Sequence, residues 1–330
     1  MDFPDYPSTA KEGNAAQGEP ARTAGRYQEI TRNGWWDYTD RPFDSGMCYR
    51  YLRRTADRSP GKDYATEHIY EKHIVKMYLN WLSFEYTENN GGFHAGRVAD
   101  CNTMNRVFNT KSQSPNSIFR DVTPAQALAN TMSCYGGRCP TKDRIGEFFI
   151  LEESINKLKE NVLGEMRKDA DFKALNCKSK NWRENRAKLT TLSAVFQYIS
   201  HPEVAAVFVK VNNRMRDVLK ALDADPFYSQ YRPAPLKVPG DLSISHLGWL
   251  GAYDYFMGMF LDAAQERTRQ YAYTCVNVVV DQINADRSLD RDEKARQVAM
   301  LMSNRKSGMW RNEVLAFGDG YSGLMTREWS

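Results

Sequence analysis

Histidine is scarce in this chain, five residues in 330, and none lies in an H-E-x-x-H run. His68 and His73 stand five apart, so they do not share a helix face as an i, i+4 pair of metal ligands would. Both read as non-ligands. No G-x-S-x-G, G-x-G-x-x-G or G-x-x-x-x-G-K-[ST] pattern occurs. A nucleophile elbow, a dinucleotide fingerprint and a phosphate loop are therefore excluded as local motifs. Gly136-Gly137 sits in a turn and has no such pattern around it. The acidic run from Asp286 to Glu293 lacks the spacing and the glycine of a calcium loop. Glu-x-x-His pairs for a helical di-iron site are absent. Acid–base chemistry would fall to Asp and Glu residues brought together by the fold. No catalytic residue, cofactor or metal is expected.

Long apolar runs are missing as well. No stretch reaches ~18 unbroken apolar residues, the length a membrane span needs. The N-terminus has no basic head followed by an apolar block, so no secretory leader is expected. Cysteines are few: Cys48, Cys101, Cys134, Cys139, Cys177 and Cys275. Only Cys134 and Cys139 are close, and a lone C-x4-C is poor zinc spacing. Reduced thiols are the expectation. The charge surplus is small, +4 from 45 Lys and Arg against 41 Asp and Glu. That sum does not point to nucleic acid, but its distribution along the chain still matters.

What is present is a helical pattern with irregular ends. His246 to Ile283 is the most apolar long segment. Tyr253, Met257, Phe260 and Ala264 form one stripe, and Trp249, Ala252, Phe256 and Ala263 another. The apolar face is wider than a surface helix needs, so this helix is expected to be central and buried. Asp254 lies inside the run. If buried, it must meet an Arg or backbone donors; otherwise it shares a polar stripe with Asp262 and Arg269. Further helices are expected over Asp63–Phe84, from Thr123-Pro124 onward, over Phe148–Met166, Leu189–Ile199 and Pro202–Leu222, and over Asp290–Ser303, there with Ala295, Val298, Ala299 and Met302 buried. The fold class is mostly α: a helical core over 35–317 of two lobes, about 35–167 and 189–317. Extended arms flank it, N-terminal at 1–34 and C-terminal at 318–330. Phe3 and Tyr6 are possible anchors by which the first arm docks on a neighbouring subunit.

The lobes are joined by a basic segment, 168–188. Lys173, Lys178, Lys180, Arg183, Arg186 and Lys188 surround Trp182 there. Cations around an aromatic ring are what a single-stranded nucleic acid needs, so this is the first candidate for a phosphate-contacting surface. The alternative is a solvated basic linker. Arg214, with Arg216 on the polar side of the next helix, extends the candidate set.

Four fragments carry a family resemblance. Gly251-Ala252-Tyr253-Asp254-Tyr255-Phe256 resembles the A-F-D-F-Y signature of the coat proteins of flexuous filamentous plant RNA viruses, the potyvirus type in particular. Glu184-Asn185-Arg186-Ala187-Lys188 with Thr190-Thr191-Leu192 resembles that family's E-N-A-K-P-T-L run. Asp225-Pro226-Phe227-Tyr228 with Tyr231-Arg232 is similar to its P-Y-M-P-R-Y. Ser114-Pro115-Asn116 is similar to the end of its N-G-T-S-P-N loop. The order along the chain agrees, although Ser193 stands where the family has an Arg after T-L. The resemblance implies a helical core with arms that dock on neighbouring copies to build a filament. It implies one RNA strand held through its backbone, with Ser114 touching RNA and Asp254 pairing an Arg that shapes the groove. The expected function is thus a coat or nucleocapsid protein that packages single-stranded RNA, found in the virion and the host cytoplasm, with itself and RNA as partners. An icosahedral capsid subunit of a double-stranded RNA virus, a helical enzyme and a subunit of a large cellular complex are the alternatives.

Overall fold

Trp35-Trp36-Asp37-Tyr38 lies in a strand, β1 (Trp35–Thr39). The computed structural model describes residues 35–39, 51–57, 59–70, 72–83, 99–132, 142–164, 177–233, 236–237, 243–244 and 248–306. Both expected arms, with Phe3 and Tyr6, lie outside these residues, as do Lys173 and most of the basic segment before Cys177.

The fold is mostly α. Eight α-helices occur among the described residues: α1 (Lys72–Ser83), α2 (Cys101–Asn109), α3 (Pro124–Thr131), α4 (Glu153–Leu163), α5 (Trp182–Ile199), α6 (Pro202–Ala224), α7 (Gly248–Ala285) and α8 (Arg291–Lys306). A four-stranded sheet accompanies them, in the order β2-β1-β4-β3, with β2 (Tyr51–Thr55), β3 (Tyr64–His68) and β4 (Phe148–Glu152). β1 runs antiparallel to β2, with Trp36 opposite Arg54. It runs parallel to β4, with Trp36 opposite Leu151. β3 is antiparallel to β4, with Thr66 opposite Ile150. A two-residue pair, β5 (Leu236–Lys237) and β6 (Ser243–Ile244), closes the loop between α6 and α7.

Two single helices expected from the sequence are each a strand followed by a helix. Asp63–Phe84 divides into β3 and α1, and Phe148–Met166 into β4 and α4. The reason is burial. All five residues of β4 are buried, and a strand covered on both faces reads as a continuous apolar run, which periodicity cannot separate from a buried helix. A third correction concerns α5, which begins at Trp182, seven residues before the expected Leu189. Asn181 accepts from the Arg183 amide as its N-cap. α8 differs in its buried face: Gln297, Met300 and Leu301 are buried, while Ala295 and Ala299 are exposed.

α7 is central, as the sequence indicates. It packs against α1, α4, α5, α6 and α8. Trp249, Tyr253, Phe256, Phe260 and Ala263 are at most 1% exposed. The buried cluster runs without a break from Trp36 to Leu301, so residues of both expected lobes contribute to one core. Cys177 and Cys275 form a disulfide spanning 98 residues of sequence. This corrects the expectation of reduced thiols for these two, since local spacing carries no signal of a pair so far apart. Cys101 is free and exposed; Cys48, Cys134 and Cys139 lie outside the described residues.

Candidate nucleic-acid interface

Asn212, Arg216, Leu219 and Asp223 recur on α6 at the spacing of one helix face. That face meets the start of α7. Asn212 accepts from the Tyr253 hydroxyl at 2.7 Å. Arg216 Nη1 donates to Asp254 Oδ1 at 2.6 Å. Asp223 caps α7, accepting from the Trp249 amide at 2.7 Å and the Leu250 amide at 2.9 Å. Burial raises the Asp223 carboxyl above its ordinary range, and these two amides oppose that rise. Gly248 serves the same contact. Its φ is +60°, and a Cβ there would stand 2.5 Å from Asp223 Oδ1.

Asp254 is therefore half-buried and paired, its side chain 24% exposed beside an Arg216 that is 21% exposed. Asp262 and Arg269, its companions on the alternative polar stripe, have side chains outside the description. Asp254→Ala is expected to lower unfolding free energy by about 1–2 kcal/mol, the range for a charged hydrogen bond partly screened by water. Chemical denaturation measures this, and an unchanged midpoint would show the pair to be idle.

Two residues beyond Asp223, Asp225 is the C-cap of α6 and is 6% exposed. Asp225 organises the loop after α2. Ser114 Oγ donates to its Oδ1 at 3.0 Å, the Ser117 hydroxyl donates to its Oδ2, and the Phe227 amide donates at 2.9 Å. Tyr228 donates to the Thr110 carbonyl at 2.6 Å, and its ring meets Phe119 edge-on. Inside the loop, the Ser112 amide donates to the Phe119 carbonyl at 3.0 Å. A polar stretch with a proline is thereby fixed, and it presents Lys111, Asn116, Ile118 and Arg120 to solvent. Ser114, which the family resemblance places on RNA, gives its hydroxyl proton to Asp225. Its structural role is to hold the loop.

The basic segment stands elsewhere. Lys178, Lys180 and Arg183 are exposed and Lys188 is half-buried. Trp182 is 7% exposed, so it is no stacking platform for bases; this corrects the sequence reading. Its Nε1 donates to Asp286 Oδ2 at 2.9 Å, and the Arg183 guanidinium lies 4.3 Å over its ring. Hydrogen bonds from Ser288 and Trp182 bring the Asp286 carboxyl down to about 2. Arg186 is 4% exposed and hydrogen-bonded to Gln297, so it cannot reach a phosphate either. The helical start of α5 explains both corrections. Trp182, Asn185, Arg186 and Leu189 share one face, and that face is turned inward.

Arg214 forms a fork with Glu147, Nη1 to Oε1 at 2.6 Å and Nη2 to Oε2 at 2.7 Å. Its Nε donates to the Thr131 carbonyl at 2.8 Å. Glu147 is 2% exposed, and Lys210 approaches it at 3.1 Å. Arg144, on the turn Lys142–Glu147, donates from Nη1 to the carbonyls of Asn130 and Met132.

Three of the four family-like fragments are bonded to the C-terminal half of α6 or to its cap. Ser114 binds Asp225, Arg232 Nη2 donates to the Asp223 carbonyl at 3.3 Å, and Asp254 pairs with Arg216. The fourth, at the start of α5, packs near Gln282. From residue 254 to 282 the helix axis runs about 42 Å, at ~1.5 Å per residue. The expected RNA contacts accordingly fall in three separate places. Sequence alone does not group Asp223, Asp225 and Arg216: the helix expected there ends at Leu222, and α6 runs on to Ala224 with Asp225 as its C-cap. Among the described residues, no cluster of three or more His, Cys, Asp or Glu could hold a metal ion, and no helix is long and apolar enough to cross a membrane. Comparison with family models, with characterised proteins and with solved structures returns no match.

Proposed function

We propose that this protein is a structural subunit that self-assembles and packages single-stranded RNA, a viral coat or nucleocapsid protein. One observation carries the reading. Ser114 of one fragment is bonded to Asp225 of another, 111 residues on, and Asp254 of a third is bonded to Arg216 on α6, the helix that Asp225 caps. The arrangement also supplies what a polyanion needs: a fixed loop with Lys111 and Arg120 exposed, and a second exposed cation group at Lys178, Lys180 and Arg183.

The decisive test is whether purified protein carries nuclease-sensitive RNA, with absorbance skewed toward 260 nm, and whether electron microscopy shows ordered assemblies. Monomers free of nucleic acid would overturn the reading. The triple reversal Lys178→Glu, Lys180→Glu and Arg183→Glu is expected to weaken RNA retention and flatten its salt dependence. All three side chains are exposed, but Arg183 also lies over Trp182 and near Asp286, so circular dichroism must show the parent's helix content before retention is compared. Retention equal to the parent's would move the RNA path away from α5.

A further inference from the structure

Lys210 and Arg214 pair with a single carboxylate, Glu147, and Arg144 holds the end of α3 beside the carbonyl that Arg214 binds. Two elements bring them together. Lys210 and Arg214 stand one turn apart on α6, and Arg144 lies three residues before Glu147 on the turn that leads into β4. Glu147 accepts the Arg214 fork and the Lys210 ammonium. Both guanidiniums also hold the end of α3, where the carbonyls of Asn130, Thr131 and Met132 carry the negative end of the helix dipole.

We propose that Arg144, Lys210 and Arg214 form a binding site for a phosphate oxyanion. Its source, the phosphodiester of a packaged RNA, rests on the packaging reading; the chemistry of the site does not. Three cations stand here against one carboxylate, so positive charge is in surplus and an incoming anion would reduce it. Donors remain for it. Both bonds from Arg144 leave through Nη1, so Nε–H and the Nη2 pair are still there to give. The Lys210 side chain is 57% exposed, so its ammonium can swing to an incoming group. Arg214 is the fixed part, held by its fork and only 20% exposed. The like charges already act on one another: burial and then the Arg214 charge lower the Arg144 pKa, while Glu147 pulls it back up. An oxyanion between the guanidiniums would relieve that repulsion, and a guanidinium pair matches phosphate geometry.

Inorganic tripolyphosphate and a ten-nucleotide oligouridylate are the probes, titrated into the full chain at low and moderate salt. Arg214 is left in place, because removing it would strand Glu147. Arg144→Gln with Lys210→Ala is expected to lose at least tenfold in tripolyphosphate affinity. Its oligouridylate salt slope should fall by about 1.4, at ~0.7 per lost contact on a single strand. Lys157→Ala, an exposed cation paired with Glu153 on α4, should change neither. Equal tripolyphosphate affinity in parent and double variant overturns the site. Should the double variant fail to fold, Lys210→Ala alone decides: a threefold loss or more supports the site, and no loss ends it. The two readings separate cleanly. Tripolyphosphate binding that depends on these residues, in a protein that holds no RNA, keeps the site and removes the packaging reading. RNA held equally by all variants, with tripolyphosphate unaffected, does the reverse.

Discussion

Lys159→Met is expected to cost about 3–5 kcal/mol, because it takes the ammonium away from the buried Glu67 carboxylate. Lys159 and Glu67 are 1% and 3% exposed in their side chains and form an ion pair between α4 and β3. Lys159 also donates to the His68 carbonyl at 3.3 Å. An ion pair with so little water contact is weak evidence of net stabilisation, since desolvation offsets much of the attraction. Breaking it is a different matter, because the remaining carboxylate keeps the full penalty and loses the compensation. The double variant Glu67→Leu with Lys159→Met should therefore return to within about 2 kcal/mol of the parent, or exceed it. Urea denaturation of parent, single and double variants measures the cycle. A single variant as stable as the parent would show that water reaches Glu67, and the buried pair would then be misassigned.

The same pair shows how far the sequence could be read. Ile155, Leu158, Val162 and Leu163 mark the buried face of α4, and Lys159 falls within that face. A lysine there signals a buried partner, but nothing in the sequence says that the partner is Glu67, 92 residues earlier and on a strand. The mostly α class and the central α7 were legible because helical periodicity over a long segment is a strong local signal. The strands were not, because β4 is buried on every residue and β3 runs directly into α1. The cap at Thr123-Pro124 was legible from local chemistry: Thr123 accepts from the Gln126 amide at 3.2 Å, as a capping box requires.

The candidate interface was legible only in pieces. Charge counting found Lys180, Arg183 and Arg214, and the family resemblance found Ser114 and Asp254. Charge counting cannot tell an exposed cation from a buried one, so it groups Arg186, which is buried, with the exposed Arg183 three residues away. In the sequence Asp225 stands only as the first residue of an Asp-Pro-Phe-Tyr fragment. Its role appears only when the loop around Ser114 is brought to the end of α6, which is a tertiary fact. Arg144 and Lys210 carry no sequence signal at all, since their convergence depends on the turn into β4 lying beside α6.

Asp225→Ala is expected to lower stability by about 3 kcal/mol and to release the loop at 110–119. The hydroxyls of Ser114 and Ser117 and the amide of Phe227 are among the donors that lose a charged acceptor at once. Each such bond contributes ~1.5–3 kcal/mol, and they are not additive because one carboxylate serves them all. Ser114→Ala with Ser117→Ala should cost less, about 2 kcal/mol, since the Phe227 amide keeps its acceptor. Acid titration supplies the sharper check. Burial pushes the Asp225 carboxyl up, but bonds from Ser117, Phe227, Ser112 and Ser114 outweigh it and hold the group below its ordinary range. A depressed carboxyl contributes stability that is fully present above the unfolded value of about 3.9 and is lost as pH falls through the folded value. The stability gap between parent and Asp225→Ala should therefore be constant from pH 7 down to about 5 and close below about 4. Hydrogen exchange at neutral pH should show the Ser112 and Ser117 amides losing protection in the variant, while α7 keeps its own. A gap that persists unchanged at pH 3 would mean that the carboxylate charge is not what holds the loop. RNA retention then gives the loop its functional meaning: loss of retention in Asp225→Ala, with the α5 cations intact, would place the strand across Lys111 and Arg120 and not along the basic segment.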